Sequence, residues 1–128
     1  MNENNIRNSV MKELGGRPDV LIFRNNVGVG FQGKLVGKFD PESITLRFPR
    51  RIAFGLHVGS GDLIGMKQIT ITPDMIGKKV AAFLSVETKS ETAPINYEDQ
   101  INWAKQLKSF GALAGFARSI EDALEIIA

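Results

Sequence analysis

The chain has 128 residues, 16 Lys and Arg against 14 Asp and Glu for a net charge of +2, one His and no Cys. Its length fits one domain with one core, and the lack of Cys excludes a disulfide framework, a thiolate nucleophile and Cys-ligated zinc or iron–sulfur centres. A lone His57 excludes a multi-histidine metal site, so a metal would fall to oxygen ligands, which favour hard cations such as Mg²⁺, Mn²⁺ or Ca²⁺.

From Glu3 onward, Ile6, Val10, Met11 and Leu14 fall on one stripe, which predicts an amphipathic helix ending at Gly15-Gly16, with Pro18 just beyond as a stop. Val20 to Asn25 is short and rich in branched and aromatic residues, as a strand should be. Glycine then dominates Asn26 to Gly37, and Ile44, Leu46 and Phe48 alternate with Thr45 and Arg47, a pattern of twisted hairpins. After the turn His57-Val58-Gly59-Ser60-Gly61, Asp62 to Ile71 reads as a strand and Thr72 to Gly77 as a connection.

Lys79 to Val86 is almost continuously apolar and predicts a central strand covered on both faces. Tyr97 to Phe110 has helical periodicity with Gly111 placed to cap it, and Ala112 to Ala117 is a short strand. Ser119 opens a last helix with Asp122 in a capping-box-like position. Strand, helix, strand in that order implies a right-handed crossover to a parallel neighbour. The expected architecture is a single α/β domain over residues 1–128 with a mixed central sheet flanked by helices. No apolar run approaches the roughly 18 residues of a membrane span, and the start MNENNIRNS lacks the basic and apolar regions of a secretion signal. A cytosolic protein with no membrane partner is expected.

Charge is unevenly spread. Residues 24–55 carry six cations against Asp40 and Glu42, a local charge of +4, while residues 118–128 carry −2. The small total therefore does not argue against a polyanionic partner.

Several groups could carry chemistry. Gly28, Gly30 and Gly33 satisfy G-x-G-x-x-G after a strand, but the following Lys34-Leu-Val-Gly-Lys-Phe has no helical stripe, so the dinucleotide context fails and these read as hairpin glycines. Glu87 and Lys89 project from one face at the end of the apolar strand, alone no more than a strand-end ion pair. Asp62 follows Gly59-Ser60-Gly61 and alone could be an ordinary turn aspartate. Together, two carboxylates on adjacent strands 25 positions apart, with a lysine two residues after the second, form the constellation of metal-dependent phosphodiester cleavage. In such a site carboxylates hold Mg²⁺, and a lysine orients water or offsets charge on the phosphorane. Gln100 falls in the middle of its helix's apolar face and should meet polar groups inside, as a structural hydrogen bond or as part of a site. Glu3 is central on the first helix's stripe, where the macrodipole alone would favour an acid. His57 is near Asp62, where it could touch DNA or the metal, but as an isolated histidine in a Gly-rich turn it reads first as structural.

Taken in order, Glu3-x-x-Ile6-Arg7, Arg24-Asn25-Asn26, Gly59-Ser-Gly-Asp62-Leu-Ile-Gly65, Val86-Glu87-Thr-Lys89, Gln100-x-x-Trp103 and Gly111-Ala-x-Ala-Gly115-Phe-Ala-Arg118-Ser119 resemble a stand-alone virus-type replication-repair nuclease domain (VRR-NUC), a branch of the PD-(D/E)xK superfamily. The literal Pro18-Asp19 pair lies outside the matching motif; Asp62 lies within it. The resemblance implies a restriction-endonuclease-like core. It also implies that Asp62, Glu87 and the Thr88 backbone carbonyl ligate Mg²⁺ or Mn²⁺, that Lys89 serves the attacking water, and that Glu3 and Gln100 complete the site. It implies further a homodimeric, structure-selective DNA endonuclease of recombination and repair, with four-way junctions as substrate. If phage-encoded, the chain would act in the host cytoplasm. Arg24, Asn25, Lys34, Arg50 and Arg51 are the candidate DNA contacts. A nickase or flap nuclease, or a non-catalytic DNA-binding module of the same fold, are the alternatives.

Overall fold

The computed structural model describes residues 2–128, which form a mixed α/β chain of three helices and six strands. They group into two compact units, one up to Gly65 and one from Met66 onward.

In the first unit, α1 (Glu3–Gly15) begins where the Asn2 side chain accepts the Asn5 N–H at 2.9 Å, with Glu3 in the first turn. That cap satisfies one orphan donor and sets a carboxylate at the positive end of the helix dipole. The helix stops at Gly16, as the glycine pair predicts, and packs on β1 (Val20–Arg24). Next come β2 (Gly28–Val36) and β3 (Thr45–Phe54), paired antiparallel from Gly28↔Phe54 to Val36↔Thr45. The ladder slips between Gln32↔Arg50 and Lys34↔Arg47, so Phe48 and Pro49 together oppose Gly33. This bulge lets β3 run through Pro49, which has no N–H to give a regular ladder. The strand thus continues six residues past its predicted end at Phe48.

β4 (Leu63–Lys67) pairs with β1. A Cβ at Gly65 would collide with the Leu21 carbonyl oxygen, so only glycine allows this approach of two backbones. β4 is shorter than the predicted Asp62–Ile71 because its partner has only five residues to offer.

In the second unit, a 3₁₀ turn at Pro73–Met75 precedes β5 (Leu84–Thr88), α2 (Glu98–Ser109), β6 (Leu113–Ala117) and α3 (Ile120–Ile127). β5 and β6 pair parallel from Leu84↔Leu113 to Thr88↔Ala117, as the strand–helix–strand order implies. Both ends are extended by one bond, Leu113 N–H to Phe83 O at 2.9 Å and Lys89 N–H to Ala117 O at 3.0 Å. Gly111, at φ 92°, ends α2 in the left-handed conformation, and Ala112 N–H returns to Leu107 O. Leu107, Ala114 and Ala117 are the buried centre of this unit, between α2 and β6. Ser119 accepts from Asp122 N–H at 3.1 Å, and the Asp122 carboxylate accepts from Arg118 N–H at 2.8 Å. The reciprocal pair thus reaches back one residue further than a standard capping box.

Two expectations change here. The strands form three two-stranded sheets, one antiparallel and one parallel among them, rather than a single mixed sheet. The apolar run from Lys79 is strand only from Leu84, and Leu84 and Val86 on its second face are exposed. β6 starts at Leu113 because the Gly111 cap precedes it, so β6 offers residues 79–82 no partner backbone. Among the described residues, no helix is long and apolar enough to cross a membrane.

Candidate active site

Burial alternates along the second unit's first strand: Phe83, Ser85, Glu87 and Lys89 are half-buried while Leu84, Val86 and Thr88 are exposed. Period-two geometry thus sets Ser85, Glu87 and Lys89 on one face. α2 supplies that face with two polar side chains three positions apart. Gln100 Nε2 donates to Glu87 Oε1 at 2.7 Å, and Trp103 Nε1 donates to Ser85 Oγ at 2.9 Å. Three residues of helix advance about 4.5 Å and two of strand about 6.6 Å, so side chains of unequal length bridge the pair of rungs.

Glu87 Oε1 is the point of convergence, because Lys89 Nζ also stands 3.6 Å from it. The two partners differ sharply in exposure: the Lys89 side chain is 9% exposed and that of Glu87 44%. Lys89 Nζ lies 4.2 Å from the centroid of the Tyr97 ring, so the ammonium is held between a carboxylate and an aromatic face. A pocket of about 180 Å³ opens beside these bonds, lined by Ser85, Glu87, Gln100, Trp103, Gly115 and Phe116 among others.

One atom is left over. Gln100 Oε1 is buried without a hydrogen-bond partner. Turning the amide over would set its oxygen against the Glu87 carboxylate, so the nitrogen must face Glu87 and the oxygen must be the orphan. A buried acceptor without a donor costs about 1–3 kcal/mol, and a water or a cation beside it removes that cost. The open carboxylate of Glu87 and this carbonyl are both hard oxygen donors and fit Mg²⁺ or Mn²⁺ in kind. Among the described residues of either unit, no three His, Asp or Glu side chains gather closely enough to hold an ion by themselves.

Asp62 and Glu3 belong to the first unit. The Asp62 side chain is exposed and its backbone carbonyl accepts the Asn25 N–H at 2.8 Å. Glu3 is exposed in the first turn of α1. Neither carboxylate has a hydrogen-bond or ion-pair partner among the described residues. The position of Asp62 is fixed through Asn25, which donates to Ser60 Oγ at 2.6 Å and Gly61 O at 2.9 Å and accepts the Leu56 N–H at 3.0 Å. His57 caps the same turn, its Nδ1 2.9 Å from Val58 O and its carbonyl accepting from Ser60.

Compared with family models, curated proteins and solved structures, the chain finds no match.

The expected DNA contacts divide. Lys34, Arg50 and Arg51 are exposed on the β2–β3 arm. Arg24 is exposed at the end of β1, its guanidinium donating to Asn8 Oδ1 at 2.7 Å. Asn25 is 7% exposed, with both ends of its amide bonded inside the protein, and is corrected from a nucleic-acid contact to a brace for the turn before Asp62. Thr88, the expected carbonyl ligand, ends β5 opposite Ala117. Sequence reasoning missed Ser85 and Tyr97 as partners. Strand alternation from Glu87 marks the first, and the helical step of three back from Gln100 marks the second.

Proposed function

We propose that the chain is a Mg²⁺- or Mn²⁺-dependent structure-selective DNA endonuclease with a restriction-endonuclease-like active site, cutting phosphodiester bonds in branched DNA as a homodimer. The observation that supports this reading is Glu87 and Lys89 at the end of one strand, with Gln100 bonded to Glu87 and its own carbonyl left free. A metal held by Glu87 with the Thr88 and Gln100 carbonyls would supply charge to polarise a phosphate and lower the pKa of a bound water, and the resemblance implies Asp62 as a further ligand.

The chain's own residues do the rest. Gln100 fixes the Glu87 carboxylate by occupying one oxygen and leaves the other free. Lys89, sheltered from bulk water, presents a donor and a positive charge where negative charge builds on the phosphorane; in such a dry setting that charge acts more strongly than in solvent. Two-fold pairing of copies would align two such sites for paired cuts across a junction.

Labelled four-way junction, flap and duplex DNA incubated with Mn²⁺ or with EDTA tests the proposal. Metal-dependent cleavage abolished by Asp62→Ala, Glu87→Ala and Lys89→Ala is expected; undiminished cleavage by these variants, or none by the wild type on any substrate, sinks it. Paired symmetric cuts mark a junction resolvase and a single cut near the flap base a flap nuclease.

A further inference from the structure

The β2–β3 arm is charged in a way that a folded chain does not favour unaided. Cross-strand register sets Lys34 directly opposite Arg47 and Gln32 directly opposite Arg50, all on one face. Like charges directly opposed on a ladder repel. All three cations are exposed, and none has an ion-pair or hydrogen-bond partner among the described residues. The only carboxylates of the segment, Asp40 and Glu42, lie in the loop at the arm's end, where Asp40 accepts the Glu42 N–H.

Between Arg47 and Arg50 in the sequence, in the bulge opposite Gly33, stands Phe48. It is 82% exposed, and its φ of 55° lies in the left-handed region, which a residue with a Cβ avoids and which the following Pro49 makes still less favourable. A solvent-facing ring gains no packing from being held in such a conformation. Backbone strain of this kind persists where a function requires the side chain's direction.

We propose that the arm binds DNA at a junction between paired and unpaired strands, with Lys34, Arg47 and Arg50 on phosphates and the exposed Phe48 of the bulge stacked on the first unpaired base. The charge selects the partner: a second copy of the same face would set cations against cations, whereas phosphates relieve the repulsion already present. A flat aromatic ring serves any base, because every base offers a π-face. The inference rests on the DNA reading above and adds to it where the DNA lies and which base is contacted. It adds Arg47 and Phe48 to the DNA contacts expected from sequence.

Fluorescence anisotropy of the full chain in EDTA tests it, on a blunt duplex and on a flap duplex with 2-aminopurine at the first unpaired position. Lys34→Ala/Arg47→Ala/Arg50→Ala should weaken both DNAs alike and lower the slope of log affinity against log salt by about 2.7, three phosphate contacts at about 0.9 each. Phe48→Gly, which relieves the backbone, should keep duplex affinity, weaken the flap about 10-fold and abolish the 2-aminopurine change; Phe48→Trp should restore both. A wild-type chain that binds neither DNA at low salt overturns the DNA reading and this inference together. Wild-type binding with unaltered affinity, slope and 2-aminopurine signal in the folded arm variants overturns this inference alone. Binding to phosphatidylserine vesicles in place of DNA overturns it in favour of a membrane surface.

Discussion

The Lys89 ammonium sits over the face of Tyr97, 4.2 Å from the ring centroid, while its other contact is the Glu87 carboxylate at 3.6 Å. Tyr97 is the N-cap of α2, so the residue that shelters the lysine also opens the helix that delivers Gln100. The ring face matters and the hydroxyl does not. Tyr97→Phe should match the wild type in urea unfolding, whereas Tyr97→Leu should lose about 1 kcal/mol, the scale of a sheltered cation–π contact. In the cleavage assay, Tyr97→Leu should lower the rate about 3- to 10-fold through a less fixed lysine, with Tyr97→Phe near wild type.

The bond from Gln100 to Glu87 is charge-assisted and partly buried. Bonds of that kind contribute about 1.5–3 kcal/mol, and the half-exposed carboxylate brings the figure toward the lower end because water replaces part of it. A double-mutant cycle with Gln100→Leu and Glu87→Gln should return a coupling of about 1 kcal/mol. A coupling of zero would mean that the two side chains do not hold each other.

Asn25 carries the turn that presents Asp62. Asn25→Asp keeps the shape, removes both donated bonds and sets a carboxylate against the Ser60 hydroxyl and Gly61 carbonyl. A loss of about 2–3 kcal/mol is expected in chemical denaturation. Ser60→Ala, which removes one acceptor, should cost about 1 kcal/mol.

Two glycines should respond oppositely to the same change. Gly65→Ala drives a methyl into the Leu21 carbonyl and should cost about 2–3 kcal/mol or prevent folding of the β1–β4 pair. Gly16 has ordinary right-handed dihedrals at the end of α1, and a Cβ there meets nothing closer than 3.4 Å. Gly16→Ala should be neutral or stabilise by up to about 1 kcal/mol, because it restricts the unfolded chain. Thermal melts of the pair measure both.

Local signals carried the elements whose ends are chemically marked. The Gly15-Gly16 pair, Gly111 and Ser119 bound their helices in the sequence because caps act within a few residues. Partner length was not legible. β4 and β5 stop at five residues since β1 and β6 offer five, a non-local fact that the apolar runs Asp62–Ile71 and Lys79–Val86 do not contain. Pro49 similarly reads as a strand breaker until the bulge opposite Gly33 is known. Within the candidate site, the shared face of Glu87 and Lys89 and the buried amide of Gln100 followed from periodicity. The cover over Lys89 did not, since it depends on how α2 starts above β5.

The single side chain of Asn25 also joins the two ends of a detour in the chain. Its carbonyl accepts from the backbone of Leu56, 31 positions away, so everything from Asn26 to Gly55 leaves and returns through one fastened base. Closing a loop costs only about 0.6 kcal/mol more for each doubling of its length. An arm secured in this way is modular: it can be lengthened, trimmed or exchanged for another hairpin while the base and the turn before Asp62 keep their geometry. Variation in reach is therefore concentrated in one segment that can change independently of the rest.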